Sequence, residues 1–210
     1  MADSKFAVPD LAAVEVKGLT REAFLIRGTL AAVAVGGIGA VGPFLSEAFA
    51  ASSAGDLAIL NYALTLEYLE SDFYNVKAKT VGLSGTAKTL VAEIAKHEAD
   101  HVTALAGAIK SAGGTPVKKP TFKFPVTNQA TFLSLASLLE NTGVAAYNGQ
   151  GPKLQNKTYL GVAGTIVQVE ARHAAAINYM IGKSPTPNGG FDNVLEMPAV
   201  LKAVTPLIGK

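Results

Sequence analysis

The sequence has no cysteine, three histidines among its 210 residues, and only 16% charged residues. Without cysteine there are no disulfides, thiolate metal sites, iron–sulfur clusters or cysteine nucleophiles. A rubredoxin-like electron-transfer module is excluded too, since it needs four thiolates. The net charge is +2 with no arginine-rich run, so nothing marks a nucleic-acid footprint. Apolar residues make up 49% of the chain, and 210 residues suffice for one substantial core.

What the chain does contain is a repeat. Glu98-Ala99-Asp100-His101 returns 72 residues later as Glu170-Ala171-Arg172-His173, which uses two of the three histidines. Ile94 and Leu105 match Ile166 and Ile177 at the same offset. Upstream, Leu66-Glu67 with Tyr74-Asn75 matches Leu139-Glu140 with Tyr147-Asn148 at an offset of 73. A glutamate and a histidine three apart on a helix sit nearly one turn apart and address one point. The pattern is therefore Glu, then Glu-x-x-His, twice, on four apolar-periodic helices. Four carboxylates and two imidazoles match a di-iron or di-manganese centre inside a four-helix bundle.

Residues 1–50 read as a leader or as an apolar anchor or assembly segment. Thr20-Arg21-Glu22 precedes an apolar run from Gly28 to Leu45, and Ala48-Phe49-Ala50 has the form of a cleavage site. The start resembles a twin-arginine export signal, with Glu22 in place of the second arginine. Export or envelope association follows as the expected localisation: periplasmic, membrane-anchored or extracellular. Residues 51–182 are expected to form the bundle, with helices near 56–79, 86–111, 127–149 and 156–181, and Ser53 as a cap. Gly113-Gly114-Thr115-Pro116 ends the second helix, and Pro116, Pro120 and Pro125 make the link to the third a long crossover. Gly143, Gly161 and Gly164 are expected to permit close approach. Residues 183–210 form a proline-rich extension with a short helix at 197–204.

The expected metal ligands are Glu67, Glu98, His101, Glu140, Glu170 and His173. Carboxylate oxygen and neutral imidazole suit divalent iron, manganese or zinc. Glu98 and Glu170 would bridge, with Glu67 and Glu140 as terminal carboxylates. Unpaired glutamates inside apolar stripes would be costly, and two divalent ions match their four charges. Tyr74 and Tyr147 are the candidate catalytic residues, each able to donate a hydrogen bond or carry an oxidising equivalent. The alternative for both is plain helix packing. Glu70 reads as an outer carboxylate or a solvated one, because its repeat partner is Gly143. His97 reads as a helix-interface residue, since Val169 stands opposite it in the repeat. Asp100 and Arg172 read either as orienting groups for the imidazoles or as outer-face charges.

Glu67, Glu98-x-x-His101, Glu140 and Glu170-x-x-His173 together resemble the ferritin-like superfamily. Leu64-Thr65-Leu66-Glu67-Tyr68-Leu69-Glu70, Leu138 to Tyr147 and Val169 to Ala174 resemble the bacterial ferritin-like domain proteins related to desiccation-associated proteins. The resemblance covers roughly residues 54–182. It implies an all-α, ferritin-like four-helix bundle holding two irons or manganeses that react with dioxygen or peroxide. Ferroxidase, peroxidase and catalase chemistries all use this scaffold, so the fold does not choose among them. The other reading is a structural subunit that assembles through residues 1–50, with itself or in a membrane complex, around a vestigial site.

Overall fold

A computed structural model describes residues 55–209, which form four long helices and a short fifth one. These are α1 (Asp56–Asn75), α2 (Gly85–Ser111), α3 (Gln129–Gln150), α4 (Lys157–Met180) and α5 (Met197–Val204). The leader, the export-signal features and Ser53 lie outside the described residues. Among the described residues no helix is long and apolar enough to cross a membrane.

The helix ends follow local chemistry. Asn128 accepts from the Thr131 amide while the Thr131 hydroxyl closes the reciprocal bond, a capping box with threonine in the usual glutamate place. Asn156 caps α4 through the Thr158 amide at 2.8 Å. The Asp56 carboxylate accepts from the amides of Gln155 and Asn156 at 2.8 and 2.7 Å, which ties the start of α1 to that of α4. At the end of α2, Gly113 has φ of +77°, and Gly114 donates back to the Ile109 carbonyl at 2.9 Å. That is the left-handed stop the paired glycines led one to expect.

The first helix is shorter than its periodicity implies. It stops at Asn75, and Lys77–Thr80 continue as a single 3₁₀ turn. Val76 is 55% exposed, so further helix would bury little there. Asn75 instead donates to the Ala95 carbonyl of α2 at 2.9 Å. Gly161 and Gly164 also depart from expectation, because no neighbouring group lies where their Cβ atoms would be. They mark open surface, not a close helix approach.

Helices α1 and α3 are buried nearly all round, whereas α2 and α4 keep one polar face toward solvent. Helix α1 packs chiefly on α2, and α3 on α4. The crossover 112–128 covers α1: the Val117 amide donates to Asn61 Oδ1 at 2.8 Å, and Lys119 pairs with Asp72. The C-terminal extension covers α3, where the Leu195 amide donates to the Ala145 carbonyl at 3.0 Å. Gly149 has no side chain because the Leu195 carbonyl occupies that space. The extension also pairs with the crossover, through a bridge between Phe122 and Ile208 and bonds of 2.8 Å from Lys123 to Leu207 and from Gly209 to Thr121.

Apolar packing falls into two clusters. One includes Leu69, Phe73, Ile94, Phe132 and Leu139, with the Phe73 and Phe132 rings stacked at 4.2 Å. The other includes Leu60, Leu64, Leu105, Ile109 and Ile166. The acidic residues of the sequence pattern are buried within the same helices.

Candidate metal centre

Helical spacing delivers the six expected ligands to one buried place. Glu67, Glu98, Glu140 and Glu170 are all 0% exposed, and His101 and His173 are buried as well. They form two groups: Glu67, Glu98, His101 and Glu170, then Glu98, Glu140, Glu170 and His173. Within each group the donor atoms lie within 4.8 Å of one another. Glu98 and Glu170 belong to both groups, the position of bridging carboxylates. Glu67 with His101 and Glu140 with His173 flank them at either end.

The histidines face inward through Nδ1. His101 Nδ1 lies 2.8 Å from Glu170, 3.3 Å from Glu67 and 3.6 Å from Glu98. His173 Nδ1 lies 3.1 Å from Glu98, 3.3 Å from Glu140 and 3.9 Å from Glu170. These are ion-pair distances without hydrogen-bond geometry. Both Nδ1 atoms, both oxygens of Glu98, Glu140 and Glu170, and Oε2 of Glu67 are buried with no hydrogen-bond partner. Buried polar atoms are normally satisfied, so this many unpaired ones in a single place need an explanation. Donors that aim at a common centre instead of at one another fit a pair of divalent cations. The residues present therefore suit the metal pair that the sequence pattern implies.

The electrostatics agree. Burial and the charge of Glu170 push the Glu98 carboxyl up to about 8, against the opposing effect of His101 and His173. Burial and the charge of Glu67 push Glu170 up to about 8, with His101 opposing. Glu140 is also raised, by burial first. Burial disfavours the imidazolium of His101, but Glu170, Glu67 and Glu98 outweigh it and lift the group to about 12. His173 rises to about 10 in the same way, through Glu140 and Glu98. Free of metal, the centre holds protons where cations would stand. Ligand protonation is thus set by the cage, and lies well away from the ordinary imidazole range.

Tyr74 and Tyr147 reach across the bundle, not along their own helices. The Tyr147 hydroxyl on α3 hydrogen-bonds Glu67 on α1. Tyr74 on α1 is buried toward Glu140 on α3, and its hydroxyl makes no bond of good geometry. The packing alternative, with a satisfied hydroxyl, fits Tyr147, whose partner is a candidate ligand; the Tyr74 hydroxyl is buried without a partner of good geometry.

The structure chooses between the readings open for Glu70: at 4% exposed it is not solvated, and the outer-carboxylate reading stands. A Cβ at Gly143 would lie 3.2 Å from Glu70 Oε1 and 3.7 Å from Glu170 Oε2, so the Glu70 carboxylate fills the space that Gly143 leaves empty beside a bridging position. Burial and the charges of Glu170, Glu98, Glu140 and Glu67 raise its pKa well above the carboxylate range. The repeat carried this signal as a missing side chain opposite an acidic one. His97 stands outside both ligand groups, but it contacts the ligand candidate His173 directly. Asp100 and Arg172 are exposed and do not pair with each other. Arg172 donates to the Gln168 carbonyl on its own helix.

The sequence profile of the family described as "Ferritin-like domain" matches residues 55–183. Among solved structures, a conserved hypothetical protein from Mycobacterium tuberculosis aligns with a TM-score of 0.55 at 19% identity, covering 72% of this chain and 99% of that one. A ferritin-like, diiron-carboxylate protein from Bacillus anthracis aligns with a TM-score of 0.53 at 24% identity, covering 67% of this chain and 99% of that one. At such identities the likeness speaks for the shared bundle. No curated protein matches.

Proposed function

Because the chain belongs to the ferritin-like domain family, we propose that it is a di-metal carboxylate protein, binding two irons or manganeses and reacting with dioxygen or peroxide. The observation that carries this reading is the set of buried, unpartnered donor atoms on Glu67, Glu98, His101, Glu140, Glu170 and His173. The Bacillus anthracis structure with the same fold is described as a diiron-carboxylate protein, which supports the same chemistry.

In this reading Glu98 and Glu170, which belong to both donor groups, would be shared between the two ions, Glu67 and His101 would hold one, and Glu140 and His173 the other. A bound pair would supply two-electron redox chemistry and open positions for a small oxidant. The chain's own residues do the remaining work. Apolar neighbours such as Leu64, Ile94 and Leu105 exclude water from the cage. Tyr147 holds the Glu67 carboxylate in place and keeps a phenol proton beside it. Tyr74 holds its buried hydroxyl near Glu140, where it could donate to that carboxylate.

The reading extends to localisation and kinship on sequence grounds. The apolar run before Ala48-Phe49-Ala50 supports export to the cell envelope, and the quoted helix segments support kinship with desiccation-associated proteins. A scaffold with a vestigial site is less well supported, since vestigial ligands would be free to drift apart or pair with cations.

The test is elemental analysis of protein purified without added metal, beside the double variant Glu98→Ala/Glu170→Ala. Close to two irons or manganeses per chain, lost in the variant, supports the centre and leads on to turnover assays with dioxygen and peroxide. Absence of stoichiometric metal after anaerobic reconstitution would sink it.

A further inference from the structure

Of the three histidines, His97 alone lies outside the two ligand groups. Its Nδ1 is 2.9 Å from Nε2 of His173, and the two rings are parallel within 7°. Parallel planes through atoms 2.9 Å apart are closer than the roughly 3.5 Å that stacked rings require. The rings therefore meet edge to edge in nearly one plane, which is the geometry of an N–H···N hydrogen bond.

The protons in this contact can be assigned from its surroundings. Nδ1 of His173 faces Glu98 and Glu140, so a metal-facing lone pair there leaves the ring proton on Nε2. His97 Nδ1 must then accept, because a bare nitrogen is the only partner that an N–H can use. The proton of His97 consequently sits on its Nε2, which lies 3.4 Å from the exposed Glu93 carboxylate. Glu93, His97 and His173 form a line from the surface into the cage. The other half has no such line. Val169 holds the repeat position of His97, and Nε2 of His101 has no hydrogen-bond partner among the described residues.

We propose that His97 is a positioning residue: oriented by Glu93, it fixes the tautomer and ring angle of His173 and makes the Glu140–His173 position the tighter of the two. The proposal rests on the reading of His173 as a metal ligand. It adds a built-in inequivalence to a centre whose ligand set is symmetric. Groups that orient ligand imidazoles typically change metal affinity by about 10–100-fold.

The experiment has one arm without metal and one with it. Long-range nitrogen NMR of the metal-free protein should show His97 as the Nε2–H tautomer with Nδ1 accepting. Titration with manganous ion, read from the EPR signal of the free ion, should show two unequal steps. His97→Val, which copies Val169, should weaken the tighter step by roughly 10–100-fold and bring the two together. His97→Asn puts an acceptor oxygen near the place of Nδ1 and should recover most of the loss. Glu93→Gln, at an exposed position, should weaken the same step and covers the case in which His97→Val fails to fold. An Nδ1–H tautomer at His97, or variants that titrate like the wild type, would overturn the proposal. Wild-type protein that takes up no manganous ion would instead defeat the metal reading, leaving the nitrogen spectrum to decide the positioning role.

Discussion

The phenol of Tyr147, on the third helix, is bonded to Glu67 on the first, and not to Glu140 on its own helix. Tyr74 faces the opposite way, from the first helix toward Glu140 on the third, but makes no hydrogen bond of good geometry there. The sequence repeat thus becomes a crossed pair in which only one arm is closed. Tyr147→Phe should destabilise the metal-free protein by about 1–3 kcal/mol, because it leaves Glu67 Oε1 buried without its donor. Tyr74→Phe removes a hydroxyl with nothing to lose and should be neutral or stabilising. Urea unfolding of the two variants decides the point, and equal losses would contradict the asymmetry.

Ligand removal should separate bridging from terminal positions. Glu98 and Glu170 belong to both donor groups, whereas Glu67 and Glu140 each belong to one. Glu98→Ala should abolish uptake of both ions, while Glu140→Ala should leave about one per chain. Elemental analysis after reconstitution reads this directly. One retained ion in Glu98→Ala would mean that the positions are independent.

The stability of the metal-free protein should fall as pH rises. Glu98 and Glu170 are raised to about 8, so the folded chain holds more protons than the unfolded chain above the ordinary carboxylate range. His173 and His101, raised to about 10 and 12, contribute stability that is complete below the ordinary imidazole range and lost as pH climbs through those values. All four shifts act with one sign, since the folded state binds the excess protons. Melting temperature should therefore drop between about pH 5 and pH 9 and recover when divalent metal is added. Metal uptake at pH 7 should release protons, including those of both imidazoliums, measurable with a weakly buffered indicator. A melting temperature that rises over this range would refute the assignment.

Glu70→Gln should make the same dependence shallower. The Glu70 pKa is raised well above the carboxylate range, so at neutral pH glutamine closely copies the protonated side chain. Above the ordinary carboxylate range the unfolded chain releases the Glu70 proton while burial and neighbouring charge make the folded chain keep it, which costs the wild type stability and the variant none. The variant should match the wild type only below the ordinary carboxylate range and gain on it as pH rises, in thermal melts without metal. A constant difference across pH would place Glu70 outside the electrostatics of the centre.

The fold was legible because its signals are periodic. Leucine, isoleucine and alanine stripes, paired glycines at Gly113 and Gly114, and three prolines in the crossover each act locally, and the helices appear close to their expected bounds. The convergence of the ligand glutamates and histidines was legible because i, i+3 spacing sets direction on a helix. Two features were not. Whether Glu70 is solvated depends on what fills the space above Gly143, a fact of tertiary packing that lies 73 residues away. The partner of His97 is on a different helix, and the repeat only showed that Val169 could not serve in its place. Tyr74 and Tyr147 were placed at the right distance from a glutamate, but the crossing of helices gave each the other's glutamate.

The ligands are divided evenly between two hairpins: Glu67, Glu98 and His101 on the first, Glu140, Glu170 and His173 on the second. Neither hairpin alone can close a bridged pair. Two chains that traded their second hairpins would rebuild the same centres with the same ligands, so coordination chemistry gives no preference for self-closure. What fastens the two halves to each other is the crossover together with the C-terminal segment that clasps it, through Thr121 to Lys123 against Leu207 to Gly209. The clasp ties the connector that leaves the first hairpin to the tail that leaves the second, so both halves of the centre are braced at a point where no ligand resides.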